Sequence, residues 1–268
     1  MRLAKLSSLK RPEPEYVTLS ELPRNVIIDR FAISKALAVN ELVRGIHGDS
    51  YEWYGLTLAK KENPECITDI GLPVNDSNVH QYTGIGPENI SLYRDVLPPD
   101  LIINGWIHSH GSLGYKRFSR IDEANHLTVL DYVCSYMKIA VEKREAVIDD
   151  LRVVNEAELG SGGSDGGSVW IVTNEHVSRA RIFETVYGCF AYAILVGDGG
   201  WYRQEIYHRT RGILTSSTNV VKRSAELLPV SSGRRFTKPD RDFLAREVRE
   251  KIRPSDPFQA PEQRKPRN

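Results

Sequence analysis

The chain has 268 residues, 40% of them hydrophobic and 26% charged, a composition that suits one large globular domain or two small ones. With 36 Lys and Arg against 35 Asp and Glu, its formal net charge of +1 excludes a chain-wide basic field for nucleic acid. The longest strictly apolar run, Cys189 to Val196, is far below the roughly 20 residues that a membrane-spanning helix needs.

In chain order, the start MRLAKLSSLKRPEPE has no apolar stretch before Pro12 and Pro14, so it is not read as a secretory signal, and the expected compartment is the cytosol. Asp29 can cap a helix through about Ile46, with Phe31, Ile33, Leu37, Leu42, Val43 and Ile46 as its apolar face and Gly48 near its stop. Two strand-like runs follow, Tyr51 to Ala59 and Cys66 to Val74, joined by a hairpin-like KKENPE. Gly86 and Pro87 open a short helix through about Val96, and Pro98, Pro99 and Asp100 break the chain before LIINGWIH, a buried strand. Ser119, followed three residues later by an acid, announces a helix carrying Ile121, Ala124, Leu127, Leu130 and Val133 at helical spacing. Residues 137–154 read equally as a continued helix or as two strands. The glycines of Gly160 to Ser168 predict a flexible loop, with no following G-K-[ST] to make it a phosphate cradle. GCFAYAILV and WYRQEIYHR flank Asp198, Gly199 and Gly200, a hairpin signal.

From Ser231 onward the chain carries 11 basic against 6 acidic residues. Within this basic segment Thr237 can cap a helix through about Ile252, with Pro239 in its first turn and Phe243, Leu244 and Val248 on one side. The stretch after Arg253 reads as disorder. Three cysteines, Cys66, Cys134 and Cys189, are odd in number and more than 50 residues apart, which predicts reduced, mostly buried thiols.

The chemistry concentrates in G-W-I-H-S-H-G-S-L-G-Y-K-R-F-S-R-I-D, Gly105 to Asp122. Side chains alternate along a strand, so His108 and His110 point to one side, close enough to share a metal ion. Asp122, in the first turn of the next helix, can supply a third oxygen ligand, and three ligands plus a water make an open, catalytic type of zinc site. Each piece also has a plain structural reading: H-x-H as a hydrogen-bonded pair on a strand, Ser119 and Asp122 as a helix cap. His126, four residues after Asp122, shares its helix face and could support or replace a ligand. Trp53 and Trp106 flank the site and read as core. His47, His80, His176 and His208 lie in no ligand spacing.

Taken together, His108, Ser109, His110, Ser119 and Asp122, with Glu52 upstream in E-W-Y-G-L-T-L, resemble the JAMM metalloproteases, the MPN domain family. The resemblance covers about residues 27–133. It implies an α/β fold with a curved mixed sheet sandwiched by helices, like that shared by MPN domains and cytidine deaminases. It further implies zinc held by His108, His110 and Asp122, Glu52 as general base and acid, and Ser119 as a donor to the developing oxyanion. The activity implied is cleavage of peptide or isopeptide bonds at the C-terminus of ubiquitin or a ubiquitin-like protein, with an activating or complex partner possible. The same site could instead serve a sulfur-carrier tail or a small amide, and a third reading is a non-catalytic scaffold subunit docking through the C-terminal segment. The corresponding organisation is an extension over 1–25, a catalytic domain over 26–228, and a basic helix and tail over 229–268. Two features depart from the family pattern: the turn from His110 to Ser119 is one residue longer, and Gly111 stands where proline is usual.

Overall fold

A computed structural model describes residues 16–78, 85–151 and 177–254. The loop expected over 160–168, the tail beyond 254, His80 and His176 lie outside the described residues. The chain divides into two compact units, one of residues 1–21, 140–187 and 211–218, the other of 22–139, 188–210 and 219–268.

The larger unit is a mixed α/β structure. Strand β2 (Val26–Asp29) runs into α1 (Arg30–His47), where the Asp29 carboxylate accepts the Phe31 N–H at 2.7 Å. Gly48, at φ 81°, closes the helix with its N–H on the Arg44 carbonyl, the left-handed conformation a glycine adopts without steric cost. β3 (Tyr54–Lys60) and β4 (Asn63–Gly71) form the expected antiparallel hairpin, and α2 (Pro87–Asp95) starts on its proline. The apolar run before the first histidine is β6 (Leu101–Ser109), buried along nearly its whole length. Such burial suits a strand covered on both faces. The capped helix after it is α3 (Arg120–Tyr136).

The strand order here is β8, β6, β3, β4, β2, β11, where β8 is Val177–Val196, of which residues 188–196 belong to this unit, and β11 is Leu227–Val230. β6 runs parallel to β8 and antiparallel to β3, while β2 is parallel to both β4 and β11. β9 (Tyr202–Gly212) pairs with β8 across the predicted Asp198–Gly200 turn, and β10 (Thr218–Ser224) pairs with β9. α1 packs on β4 and β2, and α3 packs on β6.

The C-terminal helix is α4 (Lys238–Lys251), with Thr237 and Asp240 forming a capping box and Pro239 in its first turn. It packs on α1, and the strand after it, β12 (Ile252–Pro254), pairs in parallel with β5 (Asn75–Asn78). Leu244 and Val248 are buried as expected, whereas Phe243 is 54% exposed because its position on the helix turns it away from α1. The cysteine expectation is corrected: Cys134 in α3 and Cys189 in β8 form a disulfide with Cα atoms 5.4 Å apart, and Cys66 alone is free. Helix and strand packing brings together two residues that spacing along the chain could not associate.

In the smaller unit, β1 (Tyr16–Thr18) lies antiparallel to β7 (Ile139–Leu151). Residues 139–151 are thus one strand, neither the continued helix nor the two strands offered by the sequence. The buried Glu184 carboxylate gathers the Leu214 and Thr215 N–H groups at 3.0 Å each, the Thr215 hydroxyl at 2.9 Å and the Arg144 guanidinium at 3.0 Å. Burial pushes the Glu184 pKa up, but these donors outweigh it and hold it below the usual carboxylate range.

Two measurements test this packing. A Cβ at Gly105 would stand 2.2 Å from the Tyr192 carbonyl oxygen on β8, so Gly105→Ala is expected to lower stability by about 3 kcal/mol, read as a shift of the denaturant midpoint. A carboxylate whose pKa is depressed by folding stabilises fully above its unfolded pKa, near 4.3, and loses that contribution as pH falls through the folded value. Below about pH 5 the wild type is therefore expected to lose stability more steeply than Glu184→Gln, and parallel profiles would remove Glu184 from that role.

Candidate metal centre

β6 delivers His108 at its end and His110 just beyond it, and the two rings sit 5.2 Å apart between centroids. The Asp122 carboxylate, in the first turn of α3, meets both: Oδ1 lies 3.1 Å from His108 Nε2, and Oδ2 lies 3.4 Å from His110 Nε2. Asp122 is placed there by its cap. Its Oδ2 accepts the Ser119 N–H at 2.6 Å, while the Ser119 hydroxyl accepts the Asp122 N–H at 3.2 Å. The two readings of the motif, helix cap and ligand set, are thus one arrangement.

All three side chains are buried, and one donor atom from each lies within 4.8 Å of the others. Zinc with N and O ligands at about 2.0–2.2 Å sets tetrahedral neighbours roughly 3.4 Å apart, so the observed separations fit a common metal ion. Two further observations support that fit. His108 is completely buried, yet its ring nitrogens make no hydrogen bond among the described residues, so the 3.1 Å approach to Asp122 is not an aligned donor–acceptor contact. His110 Nδ1 lies 2.8 Å from the Tyr115 carbonyl, which requires the proton on Nδ1 and leaves Nε2 as the ring nitrogen that faces Asp122.

Burial and the neighbouring charges set the electrostatics. Burial pushes the Asp122 carboxyl up, but the two histidines and the Ser119 N–H outweigh it and hold it well below the usual range. Burial lowers His108, whereas His110, also penalised by burial, is raised by Asp122, the Tyr115 carbonyl and Glu52. Glu52, buried in the segment before β3, is pushed up to about 7 by burial, with His110 partly offsetting and Asp122 adding to the rise. A buried carboxyl titrating near neutrality beside a ligand cluster is suited to carrying protons in catalysis.

Glu52 is held by residues the sequence did not single out for that work. The Ser109 hydroxyl accepts the Trp53 N–H at 3.3 Å and lies 3.4 Å from the Tyr51 carbonyl, while its backbone N–H binds the Trp53 carbonyl at 2.9 Å. The residue between the two histidines therefore braces the peptide on each side of Glu52. Asp198 ties the next layer: its N–H donates to the Gly111 carbonyl at 3.0 Å and its carboxylate accepts the Ser50 hydroxyl at 2.6 Å. The D-G-G turn signal located Asp198 but not this bond. Gly111 has φ 51°, a conformation that proline cannot adopt. The longer turn still delivers Ser119 to its cap.

His126 is buried against His108 at 6.3 Å between centroids, but is not among the donors that converge within 4.8 Å. Burial, and secondarily His108, push its pKa well below the usual value. Trp53 and Trp106 are fully buried, with the Trp53 indole N–H on the Asn40 side-chain oxygen at 2.6 Å and Trp106 stacked on His108 at 4.6 Å. His208 contacts the Pro23 carbonyl at 2.9 Å and His47 packs on Tyr51, so neither joins the centre.

No protein-family model matches the chain, and no curated protein matches it. Among solved structures, the chain is similar to a JAB1/MPN domain protein from Archaeoglobus fulgidus at 10% identity, over 75% of this chain and 98% of that one, with a TM-score of 0.26. At that score the overlay carries no weight, and the centre stands on its own side chains.

Metal analysis of the purified protein is expected to find about one zinc per chain, and His108→Ala close to none. Full zinc content in that variant, with its fold intact, would overturn the ligand set.

Proposed function

We propose that the chain is a zinc-dependent hydrolase of amide bonds, an isopeptidase acting at the C-terminus of ubiquitin or a ubiquitin-like protein. The observation that carries the hydrolytic part is the pairing of a buried His108–His110–Asp122 cluster with Glu52, whose carboxyl burial pushes up to about 7 beside that cluster. The substrate class rests on the resemblance of Glu52, H-S-H and S-x-x-D to the JAMM pattern.

His108, His110 and Asp122 would hold the metal, which when bound supplies a Lewis acid and an acidified water. Glu52 takes the proton of the attacking water and returns it to the departing amine; its pKa near 7 makes both transfers feasible at neutral pH. The oxygen of the Ser119 hydroxyl is engaged as acceptor by the helix cap, which leaves its proton for the oxyanion that develops on the scissile carbonyl. The braces from Ser109 and Asp198 keep Glu52 and His110 in register, a condition for transfer at hydrogen-bond distance.

No described helix is long and apolar enough to cross a membrane. The proposed setting is the cytosol. An activating or assembling protein partner belongs to the same proposal.

The test is cleavage of a ubiquitin-like fusion by the zinc-loaded chain. Cleavage is expected to stop with a chelator and to fall about 10²–10⁴-fold in Glu52→Gln, with zinc content unchanged. Near-normal turnover in that variant would overturn Glu52 as the base, and bound zinc with no cleavage of any ubiquitin-like fusion would overturn the substrate class.

A further inference from the structure

Beside His108 several buried polar atoms have no hydrogen-bond partner among the described residues: His108 Nδ1, both ring nitrogens of His126, the Trp106 indole nitrogen and the Tyr207 hydroxyl. Their rings form one cluster. Trp106 lies 4.6 Å from His108 and 5.2 Å from His126, and His126 lies 6.3 Å from His108 and 5.0 Å from Tyr207, all between centroids. Phe118 closes the group at 4.7 Å from the His126 ring.

Each buried polar atom left without a partner is costly, so a concentration of them around one imidazole calls for a physical reason. Packing does not provide it, because a phenyl ring would fill the space among Trp106, Phe118 and Tyr207 without that cost. A polar enclosure with several convergent donors and acceptors is the kind of place where a buried water is retained.

His108 supplies the demand. A histidine that ligates through Nε2 carries its proton on Nδ1, and ligating histidines almost always donate that proton to an acceptor that fixes the ring. For His110 the acceptor is the Tyr115 carbonyl. His108 has no such direct partner, but its Nδ1 belongs to the same cluster as the unpaired nitrogens of His126. A neutral imidazole offers one acceptor and one donor nitrogen, so His126 can accept a hydrogen bond from a water to which the His108 Nδ1–H donates.

We propose that His126 is a positioning residue of the metal centre: through a buried water it accepts the Nδ1–H of His108 and fixes that ring for ligation through Nε2. The inference rests on the metal-centre reading given above, but not on the identity of the substrate.

The experiment uses zinc as the probe, with affinity measured by competition against a chromogenic chelator. His126→Phe, which keeps an aromatic ring in place and removes both nitrogens, is expected to bind zinc about 10–100-fold more weakly. His126→Gln, which restores an acceptor, is expected to recover part of that loss, and the thermal midpoint of the metal-free Phe variant is expected not to fall. A purely structural role would lower that midpoint and leave zinc affinity unmoved, and that result overturns the proposal. A second measurement needs no variant. In zinc-loaded wild type, the His108 Nδ1 proton is expected as a slowly exchanging downfield proton resonance, and its absence would equally overturn the proposal. Wild type that binds no zinc would overturn the metal centre itself and His126's role with it, whereas zinc binding without cleavage would overturn the substrate reading alone.

Discussion

The Asp122 carboxylate is the point on which the centre depends. One oxygen is drawn back by the Ser119 N–H to begin α3, and the same group faces the two imidazoles delivered by β6. A cap fixes the backbone and side chain of the first turn together, so the carboxylate that faces the two imidazoles is positioned by the act of starting the helix. Ser119 and Asp122 therefore serve the helix start and the geometry of the candidate centre through the same bonds. Loss of either is expressed in both.

Around that point the molecule places its costs unevenly. Three ionisable side chains share a buried volume, and Glu52 is held beside them at a pKa that disfavours its charge. Such a cluster is unfavourable to the metal-free fold unless something offsets the desolvation. Short hydrogen bonds from neighbouring groups brace the site: the Tyr115 carbonyl for His110, and the Ser109 hydroxyl and Asp198 carboxylate for the segments on either side. These contacts come from a strand, a turn and a hairpin far apart in sequence, which is how a loop residue such as Glu52 can be as fixed as one on a strand.

What could be read from the sequence follows the same division between local and distant. Asp29 with Gly48, Ser119 with Asp122 and the Thr237 cap were legible because caps are decided within a few residues. The apolar run of β6 and the alternation across His108 and His110 were legible for the same reason. The Cys134–Cys189 bond was not, nor the parallel pairing of β11 with β2, because each joins residues that no local pattern relates. Residues 139–151 defeated a local reading because Lys and Glu interleaved with Ile, Val and Ala suit an exposed helix and a partly solvated strand alike. Ser109 was visible as a motif letter, but its grip on Tyr51 and Trp53 required the register of β6 against the segment before β3.

The disulfide has a consequence for the integrity of the chain. It spans 55 residues, and the long stretch that belongs to the smaller unit, 140–187, falls inside that span. A protease that cuts anywhere between Cys134 and Cys189 makes two fragments that the bond still joins. The strand carrying the histidines and β8 would then remain in one covalent molecule, and the nick would become visible only under a reducing agent.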